Sequence, residues 1–253
     1  MSEKRAIIKQ LNDHLYLIDD AGDSTCYLVV GENKALLIDS VNGYEDLNAV
    51  VSELTDKPVE VVNTHGHCDH IYGNVYFEEA WLHPADLPIA EEHFGFFKEQ
   101  MDQRGLKPCP FKAMEIGQVF DLGGRKLEVI DLKGHTPGSV GLLDREDRIL
   151  YSGDGLNTHL WMQLDHSLSI REVQKTFQQV KETYAQDFDW ILTGHAKDLR
   201  GADVLDLLLN ACDEILAGRT ENDPPYEFFG GTCSQHPLND VPGEVIVYWK
   251  DRV

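Results

Sequence analysis

The sequence predicts an α/β protein made of one domain, and three observations carry that reading. Short apolar runs of strand length come in two series, each followed by stretches with helical spacing. At 253 residues the chain is long enough to bury a substantial core. Four separate strand ends run into histidine or aspartate, which is how an α/β enzyme assembles a site. No internal repeat, low-complexity tract or linker divides the sequence.

The first series occupies residues 6–8, 15–18, 26–30 and 35–38, punctuated by Asp19-Asp20-Ala21-Gly22-Asp23 and Gly31-Glu32-Asn33. Its last two members read as a hairpin. Residues 45–54 then place Leu47, Val50, Val51 and Leu54 on one helical face. A buried strand over 59–62, a short helix over 71–77 and a strand over 79–83 follow. Pro84 is placed to open a helix. The segment 84–104, carrying Phe94, Phe96 and Phe97, reads as a helical insertion that is either a wall over the site or a core helix. The second series covers 118–122, 126–130, 139–143 and 148–151, with Gly123-Gly124 as a hairpin turn. Helices are predicted over 169–184, with Ser169 as N-cap, and over 198–216. Strands are predicted over 189–193 and 244–249. The tail, 224–253, is otherwise rich in proline and glycine.

The strand at 59–62 empties into Asn63-Thr64-His65-Gly66-His67-Cys68-Asp69-His70. Imidazole and carboxylate are the ligands of zinc and similar divalent ions. An extended chain sends the His65 and His67 side chains to one side. Gly66 between them lets the backbone approach an ion closely. A helical turn beginning near Asp69 would swing Asp69 and His70 to another side, so that each pair serves its own ion. A lone histidine beside a strand is ordinarily structural, but three with an aspartate would be costly in an apolar core. Further candidate ligands stand after later strands, in Gly134-His135-Thr136-Pro137-Gly138, Ser152-Gly153-Asp154-Gly155 and Gly194-His195. Cys68 alternates away from His67 and reads as a buried filler. His14, His83, His93 and His236 carry no motif.

A net charge of −22 repels phosphate backbones and anionic membrane surfaces, and no cluster of lysine and arginine offsets it. Neither a nucleic-acid nor a membrane partner is therefore expected; a small-molecule substrate is, and homo-oligomerisation is left open. The opening residues lack the apolar stretch of a secretory signal, and no apolar run reaches the roughly 20 residues of a membrane span. Five scattered cysteines make no disulfide framework. A cytoplasmic location is the expectation.

With those residues in view, the chain resembles the metallo-β-lactamase superfamily. His65-x-His67-x-Asp69-His70, His135 in Gly-His-Thr-Pro-Gly, Asp154 in Ser-Gly-Asp and His195 in Thr-Gly-His stand in the family's order, and the strand and helix rhythm agrees from about residue 6 to 217. The resemblance implies a four-layer αββα sandwich of two mixed sheets, with the site at one edge between them. It implies that His65, His67 and His135 hold one metal, that Asp69, His70 and His195 hold a second, and that Asp154 bridges. True β-lactamases of the family often carry cysteine where Asp154 stands, so the ligand set is closer to the glyoxalase II, lactonase and tRNase Z branches. The glyoxalase II branch adds a C-terminal helical region with basic residues for glutathione, and this tail differs from it. Residues 156–166 fall where family members build a pocket wall, which makes His159, Trp161 and His166 candidate substrate contacts.

The expected activity is that of a dinuclear hydrolase acting on an ester, thioester, lactone or amide of a small molecule. Two divalent ions, zinc first with iron or manganese as alternatives, would share a water and lower its pKa towards neutrality. Asp69 would orient that water and pass on its proton. Two readings compete. An iron dioxygenase resembling persulfide dioxygenases would use His65, His135 and Asp154 alone. A ligand-binding module on the same fold would have the site but no turnover.

Overall fold

The computed structural model describes residues 6–253; residues 1–5 of the opening stretch read above lie outside them. Chain order runs β1 (Ala6–Gln10), β2 (Leu15–Asp20), β3 (Thr25–Val30), β4 (Ala35–Ile38), α1 (Leu47–Ser52), β5 (Val59–Val62), α2 (Cys68–Ile71) and β6 (Ala80–Leu82). Next come α3 (Leu87–Phe96), α4 (Lys98–Arg104), β7 (Phe111–Ala113), β8 (Val119–Asp121), β9 (Lys126–Asp131), β10 (Val140–Asp144) and β11 (Ile149–Gly153). The chain closes with β12 (His159–Trp161), α5 (Ile170–Tyr184), β13 (Trp190–Thr193), β14 (Arg200–Gly201), α6 (Val204–Leu216), β15 (Pro225–Phe228), β16 (Gly231–Pro237) and β17 (Val245–Tyr248).

Strands β1 to β7 form one sheet in sequence order, antiparallel up to β4 and parallel beyond it. A second sheet has the order β14-β13-β11-β10-β9-β8. Alternation along β4 shows how the layers arise. Leu36 and Ile38 face a cluster shared with Val129, Leu142 and Tyr151 of the second sheet. Ala35 and Leu37 face outward onto Val50 and Val51 of α1. On the far side, Val173 and Phe177 of α5 and Leu208 of α6 cover Leu143, Leu150 and Ile191. The result is the expected αββα layering. Each large apolar side chain buried this way contributes about 1.5–3 kcal/mol relative to exposure. The N-terminus of α5 is held by a capping box in which Ser169 and Glu172 satisfy each other's backbone N–H groups.

Three differences from expectation stand out. The described residues form three sheets rather than two: β12, β17, β16 and β15 make a four-stranded sheet of their own. Within it β12 pairs in parallel with β17, more than 80 positions later, and a three-residue strand of that kind has no local signal. Strand β16, Gly-Thr-Cys-Ser-Gln-His-Pro, lacks apolar alternation and so did not read as a strand. The last long helix begins at Val204 rather than 198, because Arg200 and Gly201 pair with β13 first. No helix among the described residues is long and apolar enough to cross a membrane.

Strands β9, β11 and β13 run the same way, β11 and β13 being parallel and β9 and β11 each antiparallel to β10. Their C-terminal ends therefore open on one edge, and the loops after them carry His135, Asp154 and His195. The loop after β5 in the other sheet reaches the same edge, where the Val140 N–H donates to the Thr64 carbonyl at 2.9 Å.

Candidate metal centre

Local conformation follows the residue pattern. His67 is extended, at φ −75° and ψ 150°, and α2 begins immediately after it, so Asp69 and His70 turn away from His65 and His67. Gly66 is required by contact: a Cβ there would lie 2.8 Å from the Asp86 carbonyl oxygen. Gly194 is required more strictly, since its Cβ would lie 2.3 Å from the His70 ring.

The structure brings all seven sequence-predicted ligands together. His65, His67 and His135 present nitrogens within 4.8 Å of one another, as do the ligand atoms of Asp69, His70 and His195. Asp154 groups with His65 and His70, and its Oδ2 lies 3.2 Å from His195 Nε2 and 3.9 Å from His135 Nε2, so it faces both sets.

Hydrogen bonds fix which nitrogen each ring turns inward. His135 Nδ1 donates to the Trp161 carbonyl at 2.7 Å, and His195 Nδ1 donates to the Asp23 carbonyl at 2.7 Å. His70 Nδ1 donates to Asp39 at 2.9 Å. The Thr64 hydroxyl donates to Asp39 at 2.8 Å and lies 3.1 Å from His65 Nδ1, which therefore donates to it. Anchoring one ring nitrogen in this way leaves the other as a metal-binding lone pair. His67 is the exception and turns Nδ1 inward, 3.1 Å from His65 Nε2 and 3.0 Å from His135 Nε2. Two nitrogens on one tetrahedral ion sit about 3.3 Å apart, given metal–nitrogen distances near 2.0–2.1 Å. The cluster is already close to that spacing.

A divalent cation fits this donor set. The buried His70 Nε2 has no hydrogen-bond partner, the kind of orphan that a ligand to the site would satisfy. The carboxylates of Asp69 and Asp154 face histidines at the site. Their charges dictate the protonation of the metal-free pocket. Burial and the neighbouring rings push His65 and His67 well below their ordinary value. Burial also opposes a charge on His70, but Asp69, Asp39 and Asp154 overcome it and push its pKa up. Asp154 beside it raises His195 to about 9. Burial works against both carboxylates as well, yet His70 and His195 hold Asp69 and Asp154 below the usual carboxylate range.

Three residues mattered more than their sequence context indicated. Asp39 ends β4 in the left-handed region, at φ 63°, and accepts from the Thr64 N–H as well as from Thr64 and His70 side chains. Asp86 is fully buried and accepts from the Gly66 N–H at 2.8 Å, the Gly138 N–H at 2.7 Å and the Thr136 hydroxyl at 2.7 Å. It thereby ties the loop of His65 and His67 to the loop of His135. Nothing in Pro84-Ala85-Asp86 announces that role, because its partners lie 20 to 52 positions away. His93, which carried no motif, stacks on His67 with ring centres 4.8 Å apart and accepts from the Cys68 N–H. Replacing Asp86 by alanine should orphan three buried donors at about 1–3 kcal/mol each, so we expect a loss of about 3 kcal/mol or more, read from urea unfolding.

Above the cluster lies a cavity of about 900 Å³. Helix α3 and its C-terminal end supply one wall through Glu92, His93, Phe96 and Phe97. The insertion is both wall and core, since Ala90, Phe94 and Met101 on its other side are buried. Residues 157–166 form the opposite wall, and His166 reaches Glu92 across the gap at 3.4 Å. Trp161, His159 and His166 all line the cavity, although His159 is engaged by the Tyr226 hydroxyl and the Gly243 carbonyl. Cys68 differs from expectation: it is partly exposed and lines the cavity rather than filling the core. Burial of its thiol pushes the pKa up to about 11, so it stays protonated at neutral pH.

The family model described as the metallo-beta-lactamase superfamily matches residues 19–195. The chain is 30% identical over 154 residues to acyl-coenzyme A thioesterase MBLAC2 of Gallus gallus, covering 51% of this chain and 56% of that one. It is 28% identical over 145 residues to hydroxyacylglutathione hydrolase GloC of Haemophilus influenzae, covering 54% and 68%. The chain thus spans little more than half the length of the chicken relative. Among solved structures, DIM-1 metallo-beta-lactamase superposes with a TM-score of 0.63 at 14% identity, covering 83% of this chain and 98% of that one. The sec-alkylsulfatase Pisa1 from Pseudomonas sp. superposes with a TM-score of 0.65 at 15% identity, covering 86% and 43%. At such identities the structural likeness concerns the fold.

Proposed function

The chain belongs to the metallo-beta-lactamase superfamily, and from that premise we propose that it is a dinuclear metal-dependent hydrolase of small-molecule esters, thioesters, lactones or amides. The observation that carries this reading is the convergence of seven His and Asp side chains at the base of one open cavity, five of them in its lining and His65 and His70 buried beneath. His65, His67 and His135 would hold one divalent ion, and Asp69, His70 and His195 the other. Asp154, whose Oδ2 faces both sets, would contribute to holding the pair, while Asn157 donates to its Oδ1 at 3.2 Å and fixes the carboxylate plane. When bound, such a pair of ions lowers the pKa of water and polarises a carbonyl.

The remaining work falls to the chain. Asp39, Thr64 and the carbonyls of Asp23 and Trp161 hold the rings in the orientation that presents a lone pair. Asp69 is the carboxylate of the set more open to the cavity, with 30% of its side chain exposed against 17% for Asp154. It is the group we assign to orient the attacking water and accept its proton. The names of the thioesterase and hydroxyacylglutathione hydrolase relatives support acyl transfer to water as the reaction class.

Elemental analysis of protein purified without added metal, followed by an ester, lactone and thioester panel, tests the proposal. About two zinc or manganese ions per chain with turnover on the panel are expected. One iron per chain with oxygen consumed on a persulfide would replace it with the oxygenase reading. An intact metal complement with saturable binding but no turnover on any class would leave only a binding module.

A further inference from the structure

We infer that the cavity selects an uncharged acyl group bearing an aromatic ring, and that the hairpin β15–β16 supplies the selecting wall. This names a substrate class for the hydrolase proposed above and rests on that reading. The hairpin lies outside residues 19–195, the span that the family model matches. Its tip, Phe228-Phe229-Gly230-Gly231, carries Phe229 to the cavity with 87% of the residue exposed. The Phe229 ring centre lies 6.2 Å from Trp161 and 5.6 Å from Phe228, at a 73° tilt to the latter. Tyr226 braces Trp161 from behind at 6.3 Å. On the opposite wall Phe96, 59% exposed, and Phe97 face the same space. A monomer rarely leaves such rings open to water without a use for them. Aromatic rings on two walls of one cavity offer a flat ring edge-to-face and offset-stacked contacts.

Charge sets the preference for an uncharged substrate. Among the described residues no lysine or arginine lines the cavity. Recognition of phosphates or several carboxylates would call for them. Apart from the two carboxylates of the metal set, the lining contributes Glu92 and Asp165 at its rim. The nearby Arg252 is already committed, donating to the Leu164 carbonyl at 2.8 Å and reaching Asp165 at 3.5 Å. With a net charge of −22 behind it, this rim disfavours polyanionic carriers such as a coenzyme A tail. The reaction balances as hydrolysis: water adds to the acyl carbon, the carbon–oxygen or carbon–sulfur bond breaks, and the leaving group takes the proton.

The test compares three thioesters on metal-loaded protein: phenylacetyl and acetyl N-acetylcysteamine, which are uncharged, and phenylacetyl-coenzyme A. The ketone analogue of the first, with CH2 in place of sulfur, is titrated by calorimetry in parallel. We expect kcat/KM for phenylacetyl to exceed that for acetyl by about tenfold, and the coenzyme A thioester to fall at least about tenfold below its uncharged counterpart. Phe229→Ala, at an exposed tip where folding is not at stake, and Trp161→Ala should each narrow the first ratio by about fivefold and weaken ketone binding to match. Equal rates for phenylacetyl and acetyl, or preference for the coenzyme A thioester, would overturn the inference and leave the hydrolase standing. Ketone binding weakened by Phe229→Ala with no turnover of these thioesters or of the corresponding phenylacetyl esters, lactones and amides would uphold the pocket and sink the hydrolase. Absence of both would end both.

Discussion

Replacing Asp69 by asparagine should reduce kcat by about a thousandfold on whichever panel substrate is turned over, while the protein stays folded. The size follows from the role. A positioned base contributes about 10²–10⁴-fold, and an amide of the same shape cannot accept the proton. The fold is protected because Asp69 is partly exposed in the first turn of α2 and its nearest ring contacts are 3.4 and 3.6 Å away. A cost below about 1 kcal/mol is expected for such a position. Because the residue acts on the reacting water rather than on the acyl group, KM should move by only a few-fold. Metal content must be measured on the same preparation. Full turnover in a metal-loaded Asp69→Asn protein would remove Asp69 from the mechanism.

Stripping the metals with a chelator should lower the melting temperature by about 10 °C. Binding to the folded state alone stabilises by about 4 kcal/mol when free metal exceeds Kd a thousandfold. A chain of this size gains about 2–4 °C per kcal/mol. The gap between loaded and stripped protein should also close as pH falls. His195 in the metal-free protein is raised from 6.5 to about 9 by Asp154. Its protonated form therefore stabilises the stripped fold fully below pH 6.5 and loses that contribution as pH rises from 6.5 to 9. Metal must displace that proton, so loading adds least at the acid end of this window and most above it. A melting temperature indifferent to chelation even at the alkaline end of that range would contradict a metal site here.

Much of the site could be read in one dimension because ligand chemistry is local. A strand end, a glycine and a His-x-His spacing suffice to place donor atoms on one side of an extended chain, and the structure keeps His65 and His67 together as that spacing requires. The supporting atoms were not visible in the same way. Asp86 stands beside a proline with no feature of its own, yet it secures two ligand loops through three hydrogen bonds. An isolated histidine on a helix has no pattern, so the sequence gives His93 no role, whereas its stacking on His67 is a matter of how α3 docks.

The amino-acid sequence alone determined the succession of strand and helix segments and the chain order of the loops that carry histidine and aspartate. Those features depend on periodicity and on residue chemistry, which are properties of short segments. Tertiary structure decided the third sheet, the ring orientations and the aromatic rim. Each depends on pairing between distant segments: β12 with β17, Asp39 with His70, and Phe229 with Trp161. No window of sequence contains both members of such a pair, so only the folded chain, by excluding water from the space between them, brings their chemistry to one place.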